Sequence, residues 1–284
     1  LYNNKTSIRS THMNQLELCV LDSNRVLPHE HYDASRVIKL SDGLKKANVL
    51  RNPPIAVEWK GKYVVLDGAT RVTALKKLNC PHIVVQLVKQ DSQDTVISSW
   101  NHVIRNIAIE RLLDVIEHVP GGNLRILSGG SMPSDRTSRR PLFTILDRDK
   151  TMYAVQRSQD NSDKHIDLSN AVNAYTKLTN VIRTLDSNVE VIQNNIQSFS
   201  ALIKFPVFAM QEILDSAISD KLLPAGVTRF LIANRVLGIN VPLNVLFSTK
   251  SLTQKNEWLD EAITKKIHQN KVRHYTEPVI IVEH

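Results

Sequence analysis

Cysteine is scarce in this chain. Cys19 and Cys80 are the only two in 284 residues, with no CxxC spacing and no third or fourth sulfur, which excludes a cysteine-built zinc site and leaves both as small apolar side chains of the interior. Long apolar runs are missing as well. No stretch approaches the roughly 18 apolar residues that a membrane span needs, and the N-terminal residues lack the charged, apolar and small-residue succession of a secretory signal. The expected location is therefore cytoplasmic. There is no internal repeat and no low-complexity tract. Residues 1–12 (LYNNKTSIRSTH) are polar and without pattern, and Met13 offers a natural start, so this segment is set aside as an extension or an expression remnant.

What is present is enough apolar residue, 42% of 284, to bury a core, in one large domain or two small ones. The formal net charge of +8 raises a nucleic-acid partner, since clustered Lys and Arg attract phosphate. The basic residues are spread out, however, with one local cluster at Arg136, Arg139 and Arg140. A diffuse excess suits an enzyme of anionic nucleotides at least as well.

The pattern of apolar residues divides the chain after residue 90. Before it, QLELCVLDSNRV predicts a strand and turn, SRVIKLSDGLKKANV a helix, and PPIAVEWKGKYVVLD a hairpin about Lys-Gly-Lys; RVTALKKL predicts a second helix and PHIVVQLV a further strand. After it, one long helix is expected from Asp91 through TVISSWNHVIRNIAIERLLDVIEHV. Residues 128–141, rich in Gly, Ser and Pro, predict a surface loop. PLFTILDRDKTMYAVQ predicts a hairpin, AVNAYTKLTNVIRTL and MQEILDSAISDK helices, and GVTRFLIANRV and INVPLNVLF extended chain. LTQKNEWLDEAITKKIHQNK is an amphipathic helix carrying Leu252, Leu259, Ile263 and Ile267, on which Trp258 is expected as a core aromatic, and PVIIVEH a closing strand.

Three stretches carry chemistry. In YVVLDGATR a strand delivers Asp67 to a glycine turn that opens a helix. Such a helix start offers outward backbone N–H groups and a partial positive charge to an anion. Gly68 allows close approach, Thr70 can cap the helix or bond a phosphate, and Arg71 adds a fork for phosphate oxygens. Asp67 would repel phosphates unless a cation lies between, and magnesium, which takes one or two carboxylates plus phosphate oxygens, resolves this. The plain alternative is a strand-ending Asp-Gly whose Arg71 pairs with a surface acid.

In VLPHEHYDAS, His29 and His31 flank Glu30 on a loop after a proline. Two histidines without a third ligand make either a weak metal site or a solvated pair, while Glu30 in a cleft can accept a proton from a hydroxyl nucleophile. In LLPAGVTRFLIANRVLGINVPL, Arg229 and Arg235 stand among apolar residues. They need partners, which are either a substrate carboxylate or phosphate or structural salt bridges.

These stretches, taken in order, resemble a known family. Gly68-Ala69-Thr70-Arg71 is similar to the Gly-x-x-Arg turn of the ParB/sulfiredoxin-like superfamily; Ala69 and Thr70 stand where sulfiredoxins need a cysteine, so that chemistry is excluded. The His29-Glu30 loop, VVLDGATRVTALKKLNC, VISSWNHV, PAGVTRF with Arg235 and VPL, and HYTEPVIIVE resemble the free L-serine kinase branch, closest to the siderophore-cluster kinases of staphyloferrin B type. The resemblance implies an α/β (α+β) fold with a ParB/sulfiredoxin-like nucleotide-binding lobe at 13–90, a mixed α/β lobe at 91–284 and an active site in the cleft between them. It implies transfer of a phosphoryl group from ATP, or ADP, with Mg2+, to free L-serine, giving O-phospho-L-serine for 2,3-diaminopropionate and siderophore synthesis. Carried over by residue, Glu30 is the base, Asp67 holds magnesium and orients the hydroxyl, Gly68, Ala69, Thr70 and Arg71 cradle phosphates, and Trp100, His102, Thr228, Arg229 and Arg235 shape the serine pocket, Arg229 at the carboxylate. One departure is Thr70, where many members place a histidine. The alternatives are a nucleotide-dependent DNA-binding regulator of ParB type, which the missing helix-turn-helix argues against, and a catalytically silent ligand sensor.

Overall fold

The computed structural model describes residues 17–120, 123–127, 140–157 and 163–275. Residues 128–139 of the loop expected at 128–141, with Arg136 and Arg139, as well as Met13 and the closing strand PVIIVEH, lie outside them.

The first sheet is built from β1 Leu18–Asp22, β2 Val26–Pro28, β4 Ile55–Trp59, β5 Lys62–Asp67 and β6 His82–Leu87, in the order β1-β6-β4-β5-β2. β4 and β5 are the expected hairpin; Lys60 and Gly61 both have positive φ, 48° and 74°, as the tightest hairpin turns require. β2 runs parallel to β5, with Pro28 opposite Val65. Side chains alternate along a strand, and here both faces are covered. Tyr63 and Val65 of β5 face helices α1 Ala34–Ala47 and α2 Ala69–Lys77, through Val37, Leu44, Val72 and Leu75. Val64 and Leu66 face the opposite way, against Leu214 and Ala217. Two covered faces explain why YVVL is an unbroken apolar run.

β3 Val49–Leu50 leaves α1 and later pairs with β15 Val241–Pro242. After β6 the expected long helix is replaced by two strands, β7 Thr95–Ser99 and β8 Asn101–Arg105, with a helix, α3, only at Ile109–Glu117. These strands hold the β-branched runs Thr95-Val96-Ile97 and Val103-Ile104, which favour strand. Because Ile104 enters one core and Val103 another, on opposite faces of the same strand, their spacing imitates a helix stripe.

β8 belongs to a six-stranded antiparallel sheet with β9 Asn123–Leu127, β10 Phe143–Asp147, β11 Met152–Gln156, β12 Ile182–Thr184 and β13 Phe199–Lys204, in the order β12-β8-β13-β10-β11-β9. α3 and α4 Lys164–Thr176 cover one face through Leu112, Ile116, Leu168 and Tyr175, while α5 Val189–Asn195 covers the other through Val189 and Ile192. The expected helix at 171–185 thus starts earlier, capped by Asp163, and ends by 176 so that its last residues can serve β12. Helix α6 Met210–Ile218 supplies Leu214 and Ala217 to the first sheet, and β14 Thr228–Ile232 pairs with β7 as a separate ribbon.

INVPLNVLF is extended only at β15; it turns at once into the short helix α7 Leu243–Phe247 and is followed by α8 Leu252–His268, opened by a Ser251–Gln254 capping box. Ile239, Val241, Leu243, Leu246 and Leu259 all lie in the first sheet's core, with Trp258 packed against it. The segment assigned by sequence to 91–284 therefore returns to complete the core of the N-terminal lobe. Lys255 secures this return. It is fully buried, and its ammonium donates to the carbonyls of Leu246 and Ser248 and to His82 Nδ1, each at 2.7 Å. Lys255→Met keeps the stem but strands two buried carbonyls, each costing about 1–3 kcal/mol when unpaired. Urea unfolding should show a loss of about 3 kcal/mol, and an unchanged midpoint would refute this role.

Candidate active site

Two acids stand at one edge of the first sheet because of the parallel pairing of β2 with β5. Pro28 lies opposite Val65, and two residues beyond that pair come Glu30 on one strand's exit and Asp67 at the other's end. The carboxyl ends of neighbouring parallel strands are the usual place for a ligand crevice in α/β sheets.

Glu30 is held from the second half of the chain. Residues 29–31 run alongside Leu223: His31 N–H donates to Leu223 O at 2.7 Å and Leu223 N–H to His29 O at 3.0 Å. Gly226 then turns with φ +76° and donates its N–H to Glu30 Oε2 at 2.8 Å. A Cβ on Gly226 would be strained and would lie 1.9 Å from Arg183 Cζ. Glu30 Oε1 has no hydrogen bond among the described residues.

His29 is buried and uses both ring nitrogens. Nδ1 donates to Val65 O at 2.6 Å, so Nε2 accepts from the Thr228 hydroxyl at 2.8 Å. This excludes His29 as a metal ligand in this arrangement, and no group of three or more His, Cys, Asp or Glu among the described residues is placed to hold a metal. Thr228, expected at the serine pocket, ties the ribbon to the loop that carries Glu30. His102 is also committed: Nε2 donates to Gly226 O at 2.9 Å and Nδ1 accepts from Tyr175 at 2.7 Å. Both side chains therefore hold the site together from behind.

Asp67 receives two guanidinium groups on one oxygen. Arg71 Nη2 donates to Oδ2 at 2.7 Å, and Arg235 Nη2 makes a short contact to the same atom. Arg71 Nη1 also donates to the carbonyls of Asn52 and Pro53, at 3.0 and 2.9 Å. Burial holds the Arg71 guanidinium below its usual value, and Asp67 opposes the shift. Arg71 lies back over Gly68, where φ is +98° and a Cβ would come 3.0 Å from the guanidinium. Gly68 starts α2 with no side-chain cap, so Ala69, Thr70 and Arg71 form the open first turn expected of an anion cradle.

Arg229 Cζ lies over the Trp100 ring, 5.2 Å from its centroid, and has no ion pair among the described residues. Trp100 donates its backbone N–H to Val227 O at 2.9 Å. Of the two arginines that needed partners, Arg235 has a structural one and Arg229 has an aromatic face. Gln86 escaped the sequence reading. Buried in β6, its amide donates to Asn234 O and accepts from Val236 N, each at 2.9 Å, clasping both neighbours of Arg235. The signal available was one amide inside the apolar run PHIVVQLV.

His102 gives the site a pH signature. Burial pushes its imidazole down to about 4 from 6.5, with Arg183 acting in the same direction and the Gly226 carbonyl against it. As pH falls from 6.5 to 4 the unfolded chain takes up a proton that the folded chain refuses, so stability falls across that window and levels below it. Two to three units at 1.36 kcal/mol each make this about 3 kcal/mol. Urea unfolding should show this slope in the wild type and a flatter one in His102→Gln; equal slopes would contradict it.

Residues 2–101, which include the strands of the first sheet and its helix pair, match the ParB N-terminal domain family. Over most of its length the chain is similar to the ATP-dependent L-serine kinase SbnI of Staphylococcus aureus (strain NCTC 8325 / PS 47), 24% identical over 257 residues, covering 90% of this chain and 92% of that protein. The structure of SbnI with a C-terminal truncation from Staphylococcus aureus matches with TM-score 0.69 and 24% identity over 87% of this chain and 96% of the other. A free serine kinase in complex with AMP matches with TM-score 0.70 and 11% identity, over 82% and 94%. The chain has the α+β fold of these proteins.

Proposed function

We propose that this chain is a free L-serine kinase that transfers the terminal phosphoryl group of ATP to the serine hydroxyl. The observation that carries the reading is the register of β2 against β5, which puts Glu30 and Asp67 at the same sheet edge beside the uncapped start of α2. The similarity to proteins named as serine kinases supports it. Glu30 accepts the hydroxyl proton while the serine oxygen bonds to the γ-phosphorus and the bond to the ADP oxygen breaks, leaving O-phospho-L-serine and ADP. Gly226 N–H fixes one carboxylate oxygen and leaves the other for the substrate. Arg229, braced on Trp100, is suited to the serine carboxylate. The first turn of α2 and Arg71 are suited to the nucleotide phosphates, and Arg235, expected at the serine pocket, shares Asp67 with Arg71 and is suited to the phosphates as well, which would draw both guanidinium groups from Asp67. Thr228 and His102 support this pocket from behind.

The donor set fits magnesium in one way only. A single carboxylate at an anion cradle suits an ion that takes most of its ligands from phosphate and water, so Asp67 would hold it with nucleotide oxygens. When bound, the ion neutralises charge developing on the transferred phosphoryl group. A kinase of free serine that uses ATP would work where both substrates are found, which supports a cytoplasmic location.

A phosphorus NMR time course with magnesium, L-serine and either ATP or ADP tests the reading. A phosphomonoester signal that requires serine is expected with ATP, and the ADP arm identifies the donor if it is the other nucleotide. No turnover with either, with nucleotide binding retained, would leave the ParB-type regulator or the ligand sensor in its place.

A further inference from the structure

Tyr175 is fully buried on α4, edge-on to Phe143 at 6.3 Å and to His102 at 6.0 Å. A phenylalanine would pack in that core equally well, and a buried hydroxyl without a partner is costly. Its hydroxyl is bonded to His102 Nδ1 at 2.7 Å, and the other His102 nitrogen faces Gly226 O at 2.9 Å. A carbonyl can only accept, so His102 Nε2 carries the proton, Nδ1 is the acceptor, and Tyr175 is the donor. The same Gly226 donates its N–H to Glu30. Arg183 closes the turn from the other side, its Nη2 3.4 Å from Ala225 O.

We propose that Tyr175 is a positioning residue for the base: by donating to His102 Nδ1 it holds the imidazole in place with its Nε2–H on the Gly226 carbonyl, which pins the Gly226 turn, and that turn aims the Glu30 carboxylate. The tyrosine stays neutral because burial raises its hydroxyl well above the ordinary value, and His102 stays neutral through the working pH range, so the chain of donors keeps one direction. Without the hydroxyl, His102 Nδ1 is left buried with no donor and the ring is held by the Gly226 carbonyl alone, so the clasp on Gly226 weakens while the fold keeps its packing. The inference deepens the kinase reading and rests on it for its rate effect.

The test uses Tyr175→Phe, His102→Gln and His102→Leu in the full chain, with two readouts. The first is direct: nitrogen NMR of the His102 ring and hydrogen exchange of the Gly226 amide. In the wild type His102 is expected as the Nε2–H tautomer and the Gly226 amide as protected; in Tyr175→Phe the Nδ1 resonance loses its hydrogen-bond shift and exchange of the Gly226 amide rises about tenfold. The second is kinetic. Tyr175→Phe should lower kcat about tenfold, one hydrogen bond's worth, with the nucleotide KM unchanged. His102→Gln, which can both donate to Gly226 and accept from Tyr175, should recover most of the rate that His102→Leu loses. An unchanged Gly226 amide in Tyr175→Phe, or His102→Leu equal to His102→Gln, would overturn the proposal. A wild type that shows the tautomer and protection but phosphorylates no serine would fail the kinase reading instead, and with it the positioning of a base.

Discussion

Glu30→Gln should lower serine phosphorylation by about 10²–10⁴-fold, the range by which a positioned general base accelerates proton transfer, while the protein stays folded and binds nucleotide as before. The substitution is narrow. A glutamine amide oxygen can still accept the Gly226 N–H that Glu30 Oε2 accepts at 2.8 Å, so the loop at 29–31 keeps its grip on Leu223 and Gly226. What is lost is the capacity to take a proton from the serine hydroxyl. Initial rates at saturating substrate, together with nucleotide titration by calorimetry, separate the possibilities. Turnover close to wild type would remove Glu30 from the chemistry. A collapse of nucleotide affinity would mean that its charge acts on binding.

Asp67→Asn should be as damaging to the rate, by about 10²-fold or more, with an opposite signature in binding. Asp67 Oδ2 neutralises Arg71 and Arg235 together. Without its charge the two guanidinium groups are unpaired beside the start of α2, so metal-free nucleotide should bind as tightly as to the wild type or tighter. The gain in affinity that magnesium gives the wild type should shrink, because the carboxylate suited to the ion has gone. The Asp67–Arg235 pair, 35% and 39% exposed, contributes little to stability, whereas Arg71, only 23% exposed, loses the carboxylate that offsets its burial, so a loss of about 1 kcal/mol is expected. Calorimetry with and without magnesium checks this. Weaker metal-free binding would show Asp67 to be only a brace for the arginines.

Much of this site can be read from the sequence because its strongest signals are local. Asp67, Gly68 and Arg71 fall within one strand-turn-helix transition, and the hairpin before it is announced by Lys60-Gly61. Glu30 is visible as an acid on a loop between a proline and a helix. The supporting residues are not legible in this way. His29 meets Thr228 across 199 positions and His102 meets Gly226 across 124, so nothing in their own neighbourhood distinguishes a clasp from a ligand. Gln86 reaches 148 positions to Asn234 for the same reason. The one long helix expected from Asp91 failed on a different ground: a strand buried on both faces loses its alternation, and its apolar residues then satisfy a helical count by accident.

The return of Ile239, Val241, Leu243, Leu246 and Leu259 to the first sheet sets the order of events during synthesis. The ribosome delivers β1 to β6 early, but the apolar surface they share stays open until α8 has left the exit tunnel. Domains commonly fold from the N-terminus as they emerge; here the earliest-made lobe is the last to be sealed. The emerging chain must therefore carry an unfinished sheet past the whole of the second lobe, and it is in that interval that a chaperone has most to cover.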